Sequence, residues 1–250
     1  MGHCRIAATA CRMAEMAKKR IILVEDERDM AELVAMRLKR EFYEVEVVHD
    51  GREGLDRIRC NPPDLVLLDI MLPGISGTEV LRAMRDDPRT SAVPVIMLTA
   101  RTEDADVVVG LQLGADDYIT KPFSMSVLIA RVSAMLRRGE FKAAGKDVLS
   151  FGLIVIDPQR HRVEVDGEAV DLTATEFRLL VAIVAARGRV LNRNQLIDQA
   201  LGMNAVVTDR TIDVHLAALR RKLGKARDYI ATVRGVGYRL IDEQDGNVEA

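Results

Sequence analysis

Cysteine is scarce in this chain, long apolar runs are missing, and neither sign of charge dominates. Each shortage closes off a class of protein. Cys4, Cys11 and Cys60 are the three cysteines in 250 residues. An odd, sparse set builds no disulfide scaffold and fits a reducing cytoplasm. Cys4 and Cys11 with His3 match no common metal-site spacing. The longest apolar stretches, such as 65–68 and 181–186, are core-sized. They fall well short of the ~20 residues that cross a bilayer, so no membrane partner is expected. The first 15 residues lack the apolar centre of a signal peptide. A formal net charge of −2 leaves the whole-chain balance silent about partners, so local charge must decide.

What is present suffices for proper cores. The chain is 48% hydrophobic and 30% charged, and its length suits two modest domains. Residues 1–19 are expected to stand outside the fold, as an unstructured extension or a start-site error. Met16 opens Met-Ala-Lys-Lys-Arg directly ahead of the first apolar run. From 20 to 138, short apolar strands alternate with amphipathic helices. Ile21-Ile22-Leu23-Val24 reads as a buried strand, and Met30, Leu33, Val34 and Leu38 then recur at helical spacing. Val45, Val47 and Val48 make a second strand, 65–68 a third, 95–98 a fourth and Tyr118-Ile119 a short fifth. This alternation predicts an α/β unit: a five-stranded parallel sheet with helices on both faces and ligands beyond the carboxyl ends of the strands.

Residues 139–149 read as a linker, 150–243 as a second domain and 244–250 as a tail. Short strands over 153–157, 162–165 and 169–172 are separated by the turn signals Asp157-Pro158 and Asp166-Gly167. Thr173-Ala174-Thr175-Glu176 is a capping box that opens a helix. Further helices are expected around 193–201 and 209–223, and a last hairpin ends at Tyr238-Arg239-Leu240. The second unit is therefore α+β.

The chemistry concentrates at strand ends. Strand one runs into Glu25-Asp26-Glu27, strand three ends in Asp69, strand four in Thr99, and strand five leads to Lys121-Pro122. A parallel sheet brings all of them into one crevice. Crowded carboxylates repel, and oxygen ligands at this density suit Mg²⁺. Each residue alone reads as a loop or cap residue, but the coincidence at matching strand ends points to a site. A carboxylate in line with phosphorus can act as nucleophile, with a cation and an ammonium group offsetting the transferred charge.

Residues 20–138 resemble a receiver domain of the two-component response regulators. Val24-Glu25-Asp26-Glu27, Leu67-Leu68-Asp69-Ile70-Met71-Leu72-Pro73-Gly74, Leu98-Thr99-Ala100 and Gly114-Ala115-Asp116-Asp117-Tyr118-Ile119-Thr120-Lys121-Pro122-Phe123 carry the likeness. It implies a doubly wound, flavodoxin-like sheet and a phosphoryl group delivered to Asp69 by a sensor histidine kinase. It implies Mg²⁺ held by Glu25, Asp26, Asp69 and the Met71 carbonyl. Thr99 and Tyr118 would be a coupled switch pair, and the Lys121–Pro122 bond cis. The likeness further implies a homodimer on phosphorylation, through a face built by the fourth helix, fifth strand and fifth helix. Usual cross-subunit ion pairs are altered there: Val107 and Val127 replace one pair, and Gln112 and Ser133 another. Asp117 with Arg131 remains as a usual pair, and Asp116 with Arg138 is a candidate for another. Val107 and Val127 are expected to make an apolar contact across a two-fold axis, less sensitive to salt than an ion pair.

Residues 209–239 carry eight basic and three acidic side chains, a local excess that the whole chain lacks. A basic run is most often a solvated helix face. Here it continues into Val233-Arg234-Gly235-Val236-Gly237-Tyr238, whose glycines free the backbone around an exposed arginine. Residues 151–241 resemble the winged helix-turn-helix effector of the OmpR/PhoB type, through Thr175-Glu176-Phe177-Arg178-Leu179-Leu180, Asp209-Arg210-Thr211-Ile212-Asp213-Val214-His215-Leu216, Leu219-Arg220-Arg221-Lys222-Leu223 and the hairpin just quoted. The likeness implies a partner in double-stranded promoter DNA, met by Arg210, Thr211, His215, Arg220, Arg221 and Arg234. Ala217 and Ala218 stand where related recognition helices often carry arginine, so arginine-to-guanine readout should be poorer. Leu201 replaces a frequent tryptophan beside the loop that relatives offer to RNA polymerase, which puts that partner in question.

Three other readings compete. A phosphohydrolase would want an acid two residues after Asp69, where Met71 stands, so no turnover enzyme is expected. A constitutive DNA-binding regulator with a vestigial receiver would have no use for the full acidic set with Thr99 and Lys121. A dinucleotide enzyme lacks its glycine fingerprint.

Overall fold

The computed structural model describes residues 18–99, 113–136, 148–200 and 209–241. β1 (Arg20–Val24), β2 (Glu44–Val48), β3 (Leu65–Asp69), β4 (Val95–Thr99) and β5 (Asp117–Thr120) form a five-stranded sheet ordered β2-β1-β3-β4-β5, parallel throughout. β3 and β4 are buried at every residue, which is why they read as unbroken apolar runs. Alternate side chains of β1 feed opposite layers. Ile21 and Leu23 pack with α1 (Arg28–Arg40) and α4 (Met125–Leu136). Ile22 and Val24 pack with α2 (Gly51–Cys60) and α3 (Gly77–Arg85). The sheet is thus doubly wound, and its order reverses beside β1, where a ligand crevice opens beyond the strand ends. Caps fix where the helices leave it. Asp50 accepts from the Arg52 and Glu53 amides at 2.8 and 3.0 Å, and Ser76 with Glu79 forms a capping box.

The second domain opens on a four-stranded antiparallel sheet of β6 (Leu149–Phe151), β7 (Ile154–Asp157), β8 (Arg162–Val165) and β9 (Glu168–Ala169). α5 (Ala174–Ala185), α6 (Arg193–Ala200) and α7 (Asp209–Leu223) follow, then a hairpin of β10 (Ile230–Val233) and β11 (Gly237–Leu240). The Thr173–Glu176 box caps α5 as expected. Leu191 and Tyr238 exchange backbone bonds of 2.8 and 2.9 Å that tie the hairpin to the helices. Gly237 is required there, because a Cβ would sit 2.0 Å from the Leu191 carbonyl oxygen.

Two expectations differ. The strand expected over 169–172 is regular only at Glu168–Ala169, with one further backbone bond from the Val170 amide to the Val163 carbonyl at 2.9 Å, since Leu172 turns into the core and Thr173 is already the helix cap. β6 was not foreseen, because Leu149-Ser150-Phe151 is too short for a periodic signal to separate from a linker. Among the described residues no helix is long and apolar enough to cross a membrane.

Candidate functional site

The strand ends converge as the parallel order requires. Lys121 Nζ donates to both Glu25 carboxylate oxygens, at 2.8 and 2.7 Å, and to Asp69 Oδ2 at 2.6 Å. Asp69 Oδ1 accepts from the Met71 amide at 3.1 Å. Glu25 and Asp69 are buried while Asp26 is exposed at the rim, and one oxygen from each of the three lies within 4.8 Å of the others. Burial pushes the Glu25 carboxyl up to about 7; the Lys121 hydrogen bond pulls it down and the Asp69 charge adds to the push. Burial opposes the Lys121 charge, yet its bonds to Asp69 and Glu25 hold it above the ordinary lysine value. Thr99 is buried at the end of β4, and its carbonyl accepts from the Lys121 amide at 2.6 Å. Tyr118 is half-buried against the apolar layer that holds Leu68 and Met97. The Lys121–Pro122 bond is cis.

Sequence reading missed His49, at the end of β2. Its Nδ1 lies 2.7 Å from the Glu25 carbonyl oxygen and braces the loop that carries Glu25 and Asp26. Its one signal was its place directly after an apolar strand. Gly77 is a second hidden requirement, since a Cβ there would lie 1.9 Å from the Asp69 carbonyl oxygen. Gly77→Ala should therefore displace the Asp69 backbone and destabilise the first domain by about 2 kcal/mol, as overpacking does. Thermal denaturation of the variant checks this.

The second domain places the expected DNA contacts unevenly. Ile212, Leu216, Leu219 and Leu223 fix α7 to its own core. Arg221 is exposed, and Arg234 is exposed beside Gly235, whose φ is 73°. Thr211 and His215 are each only 1% exposed. His215 lies against Asp116 and Asp117 of the first domain. Burial holds its pKa down, while the Asp116, Glu176 and Asp117 charges pull the other way. Arg220 is used internally: it donates to the Ile230 carbonyl at 3.0 and 2.6 Å and to Thr232 Oγ1 at 2.8 Å. In this arrangement Thr211, His215 and Arg220 are not a free DNA surface. The side chain of Arg210 and the whole of Leu201 lie outside the described residues.

The expected dimer face is likewise engaged from within. Arg131 NH1 donates to both Asp117 carboxylate oxygens at 2.6 Å, and both side chains are buried. β5 and α4 lie side by side, so the pair expected across two subunits closes inside one. Burial raises the Asp117 pKa against the pull of Arg131. Val127 is half-buried. Val107, Gln112 and Arg138 lie outside the described residues.

Residues 21–133 match the family model of the response regulator receiver domain. Residues 167–240 match that of the transcriptional regulatory protein C terminal domain. The sensory transduction protein RegX3 of Mycolicibacterium smegmatis is 46% identical, covering 88% of this chain and 98% of its own. The phosphate regulon transcriptional regulatory protein PhoB of Rhizobium meliloti is 44% identical, over 88% of this chain and 98% of its own. Among solved structures, a point mutant of RitR superposes with a TM-score of 0.73 at 29% identity, covering 90% of this chain and 99% of that one.

Proposed function

We propose, from the premise that this chain belongs to the two-component response regulators of the OmpR/PhoB type, that Asp69 is the phosphoacceptor through which it regulates transcription. The protein is a response regulator acting as a transcription factor, with a receiver followed by a DNA-binding effector. The observation that carries the Asp69 assignment is the grip of one ammonium group, Lys121, on two buried carboxylates below an exposed third. The Asp69 carboxylate attacks phosphorus, an O–P bond forms, the N–P bond to the kinase histidine breaks, and the imidazole leaves with the electron pair. Lys121 neutralises charge at the acceptor, and the Thr99 hydroxyl is placed at a strand end to bond a phosphoryl oxygen.

Receiver domains generally bind Mg²⁺ at such a pocket. The donor set here fits, being all hard oxygen, with one carboxylate open to solvent. Glu25, Asp26, Asp69 and the Met71 carbonyl would hold the ion, which would supply positive charge toward the phosphoryl oxygens. The phosphoryl group adds about −1.5 to −2 charges and biases a two-state element that includes Thr99 and Tyr118. The protein takes part in its own phosphorylation without turning over a substrate. The active state is a homodimer that brings Val107 and Val127 to its two-fold contact. A DNA-binding regulator works where the chromosome is, so the cytoplasm is the proposed compartment.

A small-molecule phosphodonor with Mg²⁺, followed by intact mass, tests the reading. One lasting phosphoryl adduct is expected. Rapid turnover would favour a hydrolase, and no adduct a vestigial receiver. For the effector, Arg234 reads as a wing contact to phosphate or minor groove. Arg234→Ala should weaken binding about equally across sequences and lower the salt slope by about one. Titrations of selected duplexes at several salt concentrations measure it.

A further inference from the structure

We propose that His49 is a positioning residue for the acidic pocket: through the Glu25 carbonyl it sets how the Asp26 carboxylate stands beside that of Glu25, and so the affinity for Mg²⁺, without touching the ion. The inference rests on reading the pocket as a Mg²⁺ site.

Asp26 is the carboxylate that depends on such help. Glu25 and Asp69 are both gripped by Lys121 Nζ. The Asp26 side chain is exposed, and among the described residues no hydrogen bond holds it. Glu27, which caps α1, makes no side-chain bond to the helix it opens. The place of Asp26 is therefore set by its backbone, and that backbone is held from the end of β2. The Glu25 amide donates to the Val48 carbonyl at 3.0 Å. His49 Nδ1 lies 2.7 Å from the Glu25 carbonyl oxygen. A carbonyl only accepts, so Nδ1 is the protonated nitrogen of the ring. Strand pairing ends at Val48, and the ring supplies a donor that a parallel ladder would take from a backbone amide. The bonded carbonyl belongs to the peptide unit that joins Glu25 to Asp26. That unit is planar. Holding its oxygen holds the plane, and with it the direction in which Asp26 leaves Glu25.

The same loop also grips the segment that follows Asp69. The Gly51 amide donates to the Pro73 carbonyl at 3.3 Å. A Cβ on Gly51 would sit 2.1 Å from the Ile75 carbonyl oxygen, so the two segments meet backbone to backbone. Asp50, between His49 and Gly51, caps α2 and anchors the loop to a helix. Residues 48–51 carry none of the proposed ligands, yet they bridge the loop of Glu25 and Asp26 to the loop that carries Met71. His49 itself stands outside the pocket. It is not among the three residues whose oxygens gather within 4.8 Å. Its ring lines an open groove of about 600 Å³ with Glu32, Met36, Lys39 and Val47. Mg²⁺ tolerates little departure from octahedral geometry, so a rotation of the Glu25–Asp26 peptide costs affinity even though every ligand is still present.

Calorimetric titration of the full unphosphorylated chain with Mg²⁺ tests the role. His49→Ala should bind Mg²⁺ about tenfold more weakly, as loss of a supporting bond behind a metal ligand does. His49→Phe keeps a ring and loses the donor, and should fall by the same factor. His49→Asn puts an amide donor near the Nδ1 position and should recover most of the affinity. The thermal midpoint without metal should change little across the set, because the half-buried ring fills no core. With a small-molecule phosphodonor, the Mg²⁺ concentration giving half the maximal rate should rise in His49→Ala by the factor lost in affinity, while the rate at saturating Mg²⁺ stays near that of the parent. Parent-like Mg²⁺ affinity in folded His49→Ala or His49→Phe overturns the inference. So does His49→Asn binding as weakly as the alanine variant. A parent that binds no Mg²⁺ overturns the metal reading of the pocket, and the role of His49 with it; a parent that binds beside unaffected variants overturns the role of His49 alone.

Discussion

Asp69→Asn should leave a folded protein that takes no phosphoryl group and whose DNA affinity no longer responds to a phosphodonor. Asparagine keeps the shape of the side chain and loses the nucleophilic oxygen. The fold should tolerate the change, because two electrostatic effects oppose each other. The variant loses the 2.6 Å bond between Lys121 and a carboxylate. It also relieves the repulsion that Asp69 exerts on Glu25, which is one cause of the raised Glu25 pKa. Lys121 keeps both of its bonds to Glu25. The Glu25 pKa should therefore fall from about 7 toward the ordinary carboxylate range, readable by NMR titration of its carboxyl carbon. Phosphorylation should lose its entire effect on DNA binding, about tenfold if the coupling is typical. A residual adduct in the variant would move the acceptor elsewhere, with exposed Asp26 the first candidate.

Most of the first domain was legible because its central strands are buried on both faces. Val66 and Leu68 face one layer and Leu65 and Leu67 the other, so the run has no polar gap to blur it. The site was legible because the parallel order forces strand ends together, so that residues as distant as Glu25 and Lys121 had to meet. His49 was hidden because the bracing uses a backbone carbonyl, which no side-chain pattern announces. The domain junction was hidden for a different reason. Thr211, His215 and Ala218 read as a polar or small face suited to solvent or DNA, and only contact with a second domain buries them. Arg178 likewise read as one arginine on a capped helix, whereas its partners are carbonyls at two helix ends. Periodicity reports how an element meets its own core. It carries no trace of a contact between domains.

Lys121→Ala should be the most damaging single change in the receiver, for stability and chemistry together. The lysine stands between two buried carboxylates, and its removal leaves both without a cation. Breaking a buried ion pair from one side costs about 3 kcal/mol or more. In a domain of this size that lowers the thermal midpoint by roughly 10 °C. The loss should shrink when Mg²⁺ is added, because a cation held by Glu25, Asp26 and Asp69 would replace the missing charge. Magnesium should thus raise the midpoint of the variant more than that of the parent, and equal shifts would argue against a shared acidic cradle. Transfer of the phosphoryl group should slow by about a hundredfold even with the metal present, since a positioned donor at the developing charge is gone. Lys121→Arg separates the two roles. Guanidinium restores positive charge, so stability should largely return. Its planar fork cannot reproduce the three bonds that Lys121 Nζ makes to Glu25 and Asp69, so the rate should stay low.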